Sequence, residues 1–212
     1  MRLRNVRGSK EKIAANEHVI QEPENFRGSW KKVFGNDNPI HVEIGMGKGR
    51  FLIQSAQENP DINFIGIERY SSVLVRAVEK RDGLELHNLY FIEYDAANID
   101  TLFDKNEVSQ IYLNFSDPWP KDRHAKRRLT SKEYLERYDR ILVPEGEVIF
   151  KTDNDALFEF SLEQAGMADW KLKNCTFDLH RSEYAQGNVM TEYEEKFSAI
   201  GHPIHRMVVY RD

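Results

Sequence analysis

The stretch Ile40-His41-Val42-Glu43-Ile44-Gly45-Met46-Gly47-Lys48-Gly49 decides the fold. A short β-rich run meets three glycines at alternate positions, and glycine lets a chain turn sharply and a ligand approach the backbone. Residues 50–58 follow with Phe51, Leu52, Ile53 and Ala56, a pattern that predicts a helix. Strand, glycine turn and helix in that order open a βαβ unit.

Working outward, the same alternation continues. Further strands are predicted at 63–68, 89–94, 110–115 and 147–151, with two closing strands near 170–178 and 204–211. Helices are predicted at 73–81, 131–140 and 155–165, the second of them starting at Ser131 with Tyr134 and Leu135 behind it. Strands spaced by helical patterns of roughly ten residues imply an α/β, Rossmann-like fold: a mostly parallel central sheet of about seven strands with helices on both faces. Residues 1–38 are polar, broken by Pro23, Gly28 and Gly35, and bounded by Pro39. They read as a basic N-terminal arm and lead-in outside the main core, leaving 39–212 as the single large domain.

The bulk properties narrow the class. The 212 residues suffice for one real core, and 40% hydrophobic with 31% charged residues is a globular mix. No apolar run approaches membrane-spanning length, and the basic N-terminus lacks a signal-peptide core, so a cytoplasmic protein away from the membrane is expected. Cys175 stands alone, which excludes an intramolecular disulfide, and His124, His180, His202 and His205 show no metal-ligand spacing; no metal is expected. Monomer and homodimer both remain open.

Charge is uneven. The net charge is −5, yet Arg2, Arg4, Arg7, Lys10 and Lys12 crowd the N-terminus, and Lys121, Arg123, Lys126, Arg127 and Arg128 crowd one short segment. Basic patches on an acidic chain suit a docked polyanion, although a solvated face reads the same way.

The chemistry-bearing residues sit at strand ends, where ligands bind in such sheets. Glu68 ends the second strand 23 residues after Gly45. An acid there takes the ribose hydroxyls of an adenosine. Glu43, Asp95 and Asp117 also fall at or near strand ends, giving an acidic rim that suits a cationic ligand better than a pyrophosphate. That favours S-adenosyl-L-methionine over a nicotinamide dinucleotide, whose fingerprint would want a third glycine where Arg50 stands. For Asp95 two roles stand side by side: an adenine contact, or a cap for the helix at Ala96-Ala97. After the fourth strand, Asn114-Phe115-Ser116-Asp117-Pro118-Trp119-Pro120-Lys121 forms a stiff loop with an acid and a large aromatic at the cofactor mouth. This is what an enzyme acting on a nucleobase needs, and the basic run directly behind it would bind phosphates.

Five segments carry a closer likeness: Glu-Ile-Gly-Met-Gly-Lys-Gly at 43–49, Gly-Ile-Glu at 66–68, Phe-Ser-Asp-Pro-Trp-Pro-Lys at 115–121, Phe-Lys-Thr-Asp at 150–153 and Thr-Glu-Tyr-Glu-Glu-Lys-Phe at 191–197. In them the sequence resembles the bacterial tRNA (guanine-N7-)-methyltransferase family, class I methyltransferases dependent on S-adenosyl-L-methionine. The resemblance implies methylation of guanine N7 in tRNA, in the variable loop. It implies cofactor binding by Glu43, Gly45, Gly47, Glu68, Asp95 and Asp117, with Asp117 also catalytic. Substrate binding falls to Lys121, Asp153, Thr191, Glu192, Tyr193 and Glu194, and RNA contact to Arg123, His124, Ala125, Lys126, Arg127 and Arg128. Without it, 150–153 reads as a strand end leading to a helix and 191–194 as a surface turn. Asp117, Asp153 and Glu194 all remain candidates for the carboxylate at the guanine edge. The rivals are an exocyclic-amine RNA methyltransferase, whose Pro-Pro-aromatic loop order differs from Asp117-Pro118-Trp119-Pro120, and a non-catalytic RNA-binding scaffold.

Overall fold

The computed structural model describes residues 6–212. Among them, seven strands form one sheet: β1 (Ile40–Ile44), β2 (Asn63–Glu68), β3 (Leu89–Glu93), β4 (Val108–Asn114), β5 (Leu142–Thr152), β6 (Lys171–Thr176) and β7 (His205–Tyr210). Their order is β3-β2-β1-β4-β5-β7-β6. The first five pair in parallel, and β7 lies antiparallel between β5 and β6. The expected doubly covered, mostly parallel sheet is the one observed.

Seven α-helices accompany it among the described residues: α1 (Ser9–Ala14), α2 (Trp30–Phe34), α3 (Arg50–Glu58), α4 (Ser71–Arg81), α5 (Lys132–Asp139), α6 (Asp155–Met167) and α7 (Glu192–Ser198). Every residue of β1 and β2 is buried, as parallel strands covered on both faces require. Phe51 and Leu52 of α3 pack with Leu74 and Val75 of α4 in one core cluster. Tyr134 and Leu135 of α5 pack with Leu157 and Phe158 of α6 in the other. Chain order reverses at β1, which has β2 on one side and β4 on the other. The ligand crevice of such a sheet opens there.

One glycine fixes how closely the turn after β1 approaches its neighbour. A Cβ on Gly66 would lie 2.1 Å from Met46 Sδ and 2.7 Å from Leu52 Cδ1. Only a bare backbone lets the glycine turn and the start of α3 settle on β2.

The N-terminal stretch departs from expectation. Within the described part of 1–38, Ile13, Val19 and Trp30 are buried in the two cores. Val19 bridges Phe91 of β3, and Trp30 Nε1 donates to Leu102 O at 2.8 Å. This lead-in is therefore packed against the sheet. Its anchors are single apolar residues in a polar background, so no periodicity announces them. Arg2 and Arg4 lie outside the described residues, and Lys12 pairs with Glu79 on α4.

Candidate active site

The carboxyl ends of β1, β2, β3 and β4 surround a cleft of about 780 Å³ whose walls include Gly45, Glu68, Asp95, Phe115, Asp117 and Trp119. A smaller cavity of about 210 Å³ adjoins it, lined by Glu43, the glycine turn, Phe115, Thr191, Glu192 and Tyr193. Phe115 borders both.

Glu43 is 1% exposed. Asn114 Nδ2 donates to its Oε1 at 2.8 Å, while Oε2 is buried without a partner. Burial pushes this carboxyl up to about 8, against the Asn114 hydrogen bond and the nearby Lys151 charge. A buried oxygen with no donor is costly unless something supplies one, and a cationic ligand would. Glu68 is held differently. Its Oε2 accepts from Gly47 N at 3.1 Å, and its Oε1 from Arg69 N at 2.9 Å and Tyr70 N at 3.1 Å. Burial raises its pKa, and these backbone donors oppose the rise. The second-strand acid thus also staples the glycine turn in place.

For Asp95 both roles are compatible. Oδ1 caps the turn at Ala97 N (3.0 Å), Oδ2 lies 3.5 Å from Arg69 Nη1, and the residue lines the cleft.

Asp117 is exposed on the cleft rim, in a loop whose backbone is unusual. Phe115 and Trp119 have φ of 54° and 42°, a region side-chain-bearing residues rarely adopt. Phe115, predicted as the end of a strand, leaves β4 for this reason. Arg128 secures the loop: Nε donates to Pro118 O at 2.9 Å, Nη2 to Trp119 O at 3.1 Å, and the guanidinium lies over the Phe160 ring. Arg127 sits over the Trp119 ring, and His124 meets its edge. Arg123, Lys126 and Arg127 stay exposed, with Lys126 paired to Glu133.

Comparison with known proteins agrees with this geometry. A family model described as a putative methyltransferase matches residues 37–207. A tRNA (guanine-N(7)-)-methyltransferase of Lachnoclostridium phytofermentans is 61% identical over 212 residues, covering all of this chain and 99% of that protein. One from Brevibacillus brevis is 51% identical, covering 98% and 97%. The chain belongs to the tRNA (guanine-N(7)-)-methyltransferase family. Among solved structures, the 16S rRNA methyltransferase KamB aligns with a TM-score of 0.65 over 87% of this chain and 94% of that one, at 14% identity. An antibiotic-related methyltransferase aligns at 0.64 over 90% and 94%, with 18% identity. These two show the shared fold.

The methyl donor of the tRNA (guanine-N(7)-)-methyltransferase family, S-adenosyl-L-methionine, fits the residues present, since the orphaned Glu43 oxygen and the acidic rim suit a cation. The fold brings Glu68, Asp95 and Asp117 to the larger cleft, Glu43 and Gly47 to the adjoining cavity, and Gly45 to both. Asp153 joins through Tyr193, whose hydroxyl donates to Asp153 Oδ2 at 2.9 Å while its ring lies 4.9 Å from that of Phe115. Lys121 is exposed on the loop.

Two of the expected site residues have partners within the protein. Glu194 is fully buried, and both its oxygens are engaged inside the protein, so it presents nothing to a base. Arg128 donates from Nε and Nη2 to the carbonyls of the Asp117 loop. Residues 191–194, read without the family as a turn, cap and start α7, with Thr191 Oγ1 accepting from Glu194 N at 3.0 Å. The Thr-x-x-Glu spacing of a capping box was the signal for it. Sequence reasoning passed over Phe115 and Lys151 as site residues. A lysine inside the apolar end of a strand was the available sign for the latter.

Proposed function

We propose that this protein transfers a methyl group from S-adenosyl-L-methionine to N7 of a guanine in the variable loop of tRNA, giving 7-methylguanosine. Asp117 carries the reading: it stands on a clamped loop, at the rim of the crevice that also holds Glu68.

When bound, the donor supplies an electrophilic methyl group on a sulfonium. Glu43 Oε2 would hold its ammonium, Glu68 its ribose hydroxyls, and Asp95 its adenine end. Gly45 and Gly47 keep the turn open for it. Guanine N7 has a free lone pair and no proton to lose, so the chain needs no general base. Its task is to align nucleophile and methyl, an effect of proximity and orientation. As positive charge develops on the purine, N1–H and the exocyclic amine become stronger donors. Asp117, accepting from that edge, binds the transition state more tightly than the ground state. Tyr193, oriented by Asp153, and Phe115 offer ring faces beside it. Lys121, Thr191 and Glu192 border the approach, and Arg123, Lys126 and Arg127, with His124 and Ala125 in the same turn, meet the phosphates. A tRNA substrate supports a cytoplasmic location; among the described residues no helix is long and apolar enough to cross a membrane.

Incubation with unmodified tRNA and donor, followed by nucleoside mass spectrometry, tests the reading. 7-Methylguanosine is expected; a methyl group on an exocyclic amine, or none, overturns it.

A further inference from the structure

Helix α7, which carries part of the family's substrate segment, is held in an unusual way. It is seven residues long, and its one fully buried side chain is a charge, Glu194. Glu194 Oε2 accepts from Lys151 Nζ at 2.6 Å and Oε1 from Asn188 Nδ2 at 2.7 Å, with His180 Nε2 at 3.3 Å. Beside it, Tyr193 donates to Asp153 Oδ2 and packs on the Phe115 ring, and exposed ion pairs join Glu192 to Lys48 and Lys80 and Glu195 to Arg50.

Lys151 reaches in the other direction too. It is the penultimate residue of β5, at 3% exposure, and its Nζ also donates to Asn188 Oδ1 at 3.1 Å and Val189 O at 3.0 Å. Its backbone carbonyl accepts from Phe115 N at 2.8 Å, at the start of the Asp117 loop. Its register partner on β4 is Asn114, the residue that holds Glu43. One lysine therefore touches the Asp117 loop through its backbone and the Tyr193 segment through its side chain, one strand away from the donor's Glu43.

Buried ion pairs contribute little net stability, because desolvation cancels most of the attraction. What such a pair does supply is a fixed geometry, and here it fixes two banks of one site. We infer that Lys151 and Glu194 are a positioning pair that holds the Thr191–Tyr193 side of the acceptor pocket in register with the Asp117 loop. The inference rests on the reading that this segment meets the target guanine. It makes neither residue a group that touches substrate.

The test removes both charges together, as Lys151→Met/Glu194→Leu, so that no lone charge is left buried. Donor affinity by calorimetry, thermal midpoint, and kcat and KM for tRNA are measured well below the midpoint. The pair variant should bind donor within about threefold of wild type but lose about tenfold or more in kcat, as small misplacements of reacting groups do. If it does not fold, Glu194→Gln, which keeps the volume and one acceptor for the lysine, carries the same expectation. A lowered midpoint with wild-type kcat and KM overturns the inference, since a merely structural pair behaves that way. Tyr193→Ala is the control for the underlying reading. Loss of turnover in Tyr193→Ala beside full turnover in the pair variant sinks the inference alone; full turnover in both sinks the reading as well.

Discussion

Arg128 donates to the carbonyl of Trp119, so the last arginine of the basic run holds the loop that carries Asp117. Neighbouring cations of one run thus serve different ends. Arg128→Ala should cut turnover by about tenfold or more while tRNA affinity changes little, because the loop loses its clamp and the phosphate contacts persist.

The exposed members should behave in the opposite sense. Replacing Arg123, Lys126 and Arg127 together with Ala should weaken tRNA binding and leave donor affinity intact. With about three phosphate contacts gone, the slope of log affinity against log salt should flatten by roughly two to three. An unchanged slope would mean that these cations face solvent alone.

Glu43 makes donor binding and fold stability respond to pH in opposite directions. The folded, donor-free protein keeps this proton up to about 8, whereas an unperturbed glutamate loses it near 4.5. Unfolding between those values releases a proton, so the contribution to stability is full below the lower value and declines as pH rises through the window. A cationic donor wants the carboxylate, so its affinity should climb toward pH 8 and then level off. Glu43→Gln should flatten both profiles, read by thermal midpoints and by calorimetry; a donor affinity in wild type that ignores pH from 6 to 8 contradicts the assignment.

Gly66→Ala probes the seat of the glycine turn. Its Cβ would overlap Met46 Sδ and Leu52 Cδ1. Overpacking of this kind costs about 1–3 kcal/mol, so the thermal midpoint should fall, and donor affinity with it as the turn is pushed off β2. A midpoint equal to wild type would show that the turn has room to move.

The fold was legible where apolar runs meet glycine. Residues 40–44, 50–58 and 63–68 were predicted with the bounds observed, because β-rich runs, helical spacing and turn residues agree there. It was illegible where a single residue does the anchoring. Ile13, Val19 and Trp30 dock the N-terminal stretch one at a time, and α7 is docked by a buried glutamate that looks like a surface residue in the sequence. The strand-end acids were readable because fold rules place them. The partners of Arg128 and Glu194 were not, since a charged residue's type announces exposure and only tertiary packing reveals its mate.

The acceptor atom is the centre of the account. A tRNA transcript carrying 7-deazaguanine in place of guanine keeps the Watson–Crick edge that Asp117 would meet and the phosphates that Arg123, Lys126 and Arg127 would meet, but has carbon where N7 should be. It should bind with near-normal affinity and accept no methyl group while the unmodified transcript is methylated in parallel. Robust methylation of the deaza transcript would contradict N7 transfer and assign the site to an exocyclic amine instead.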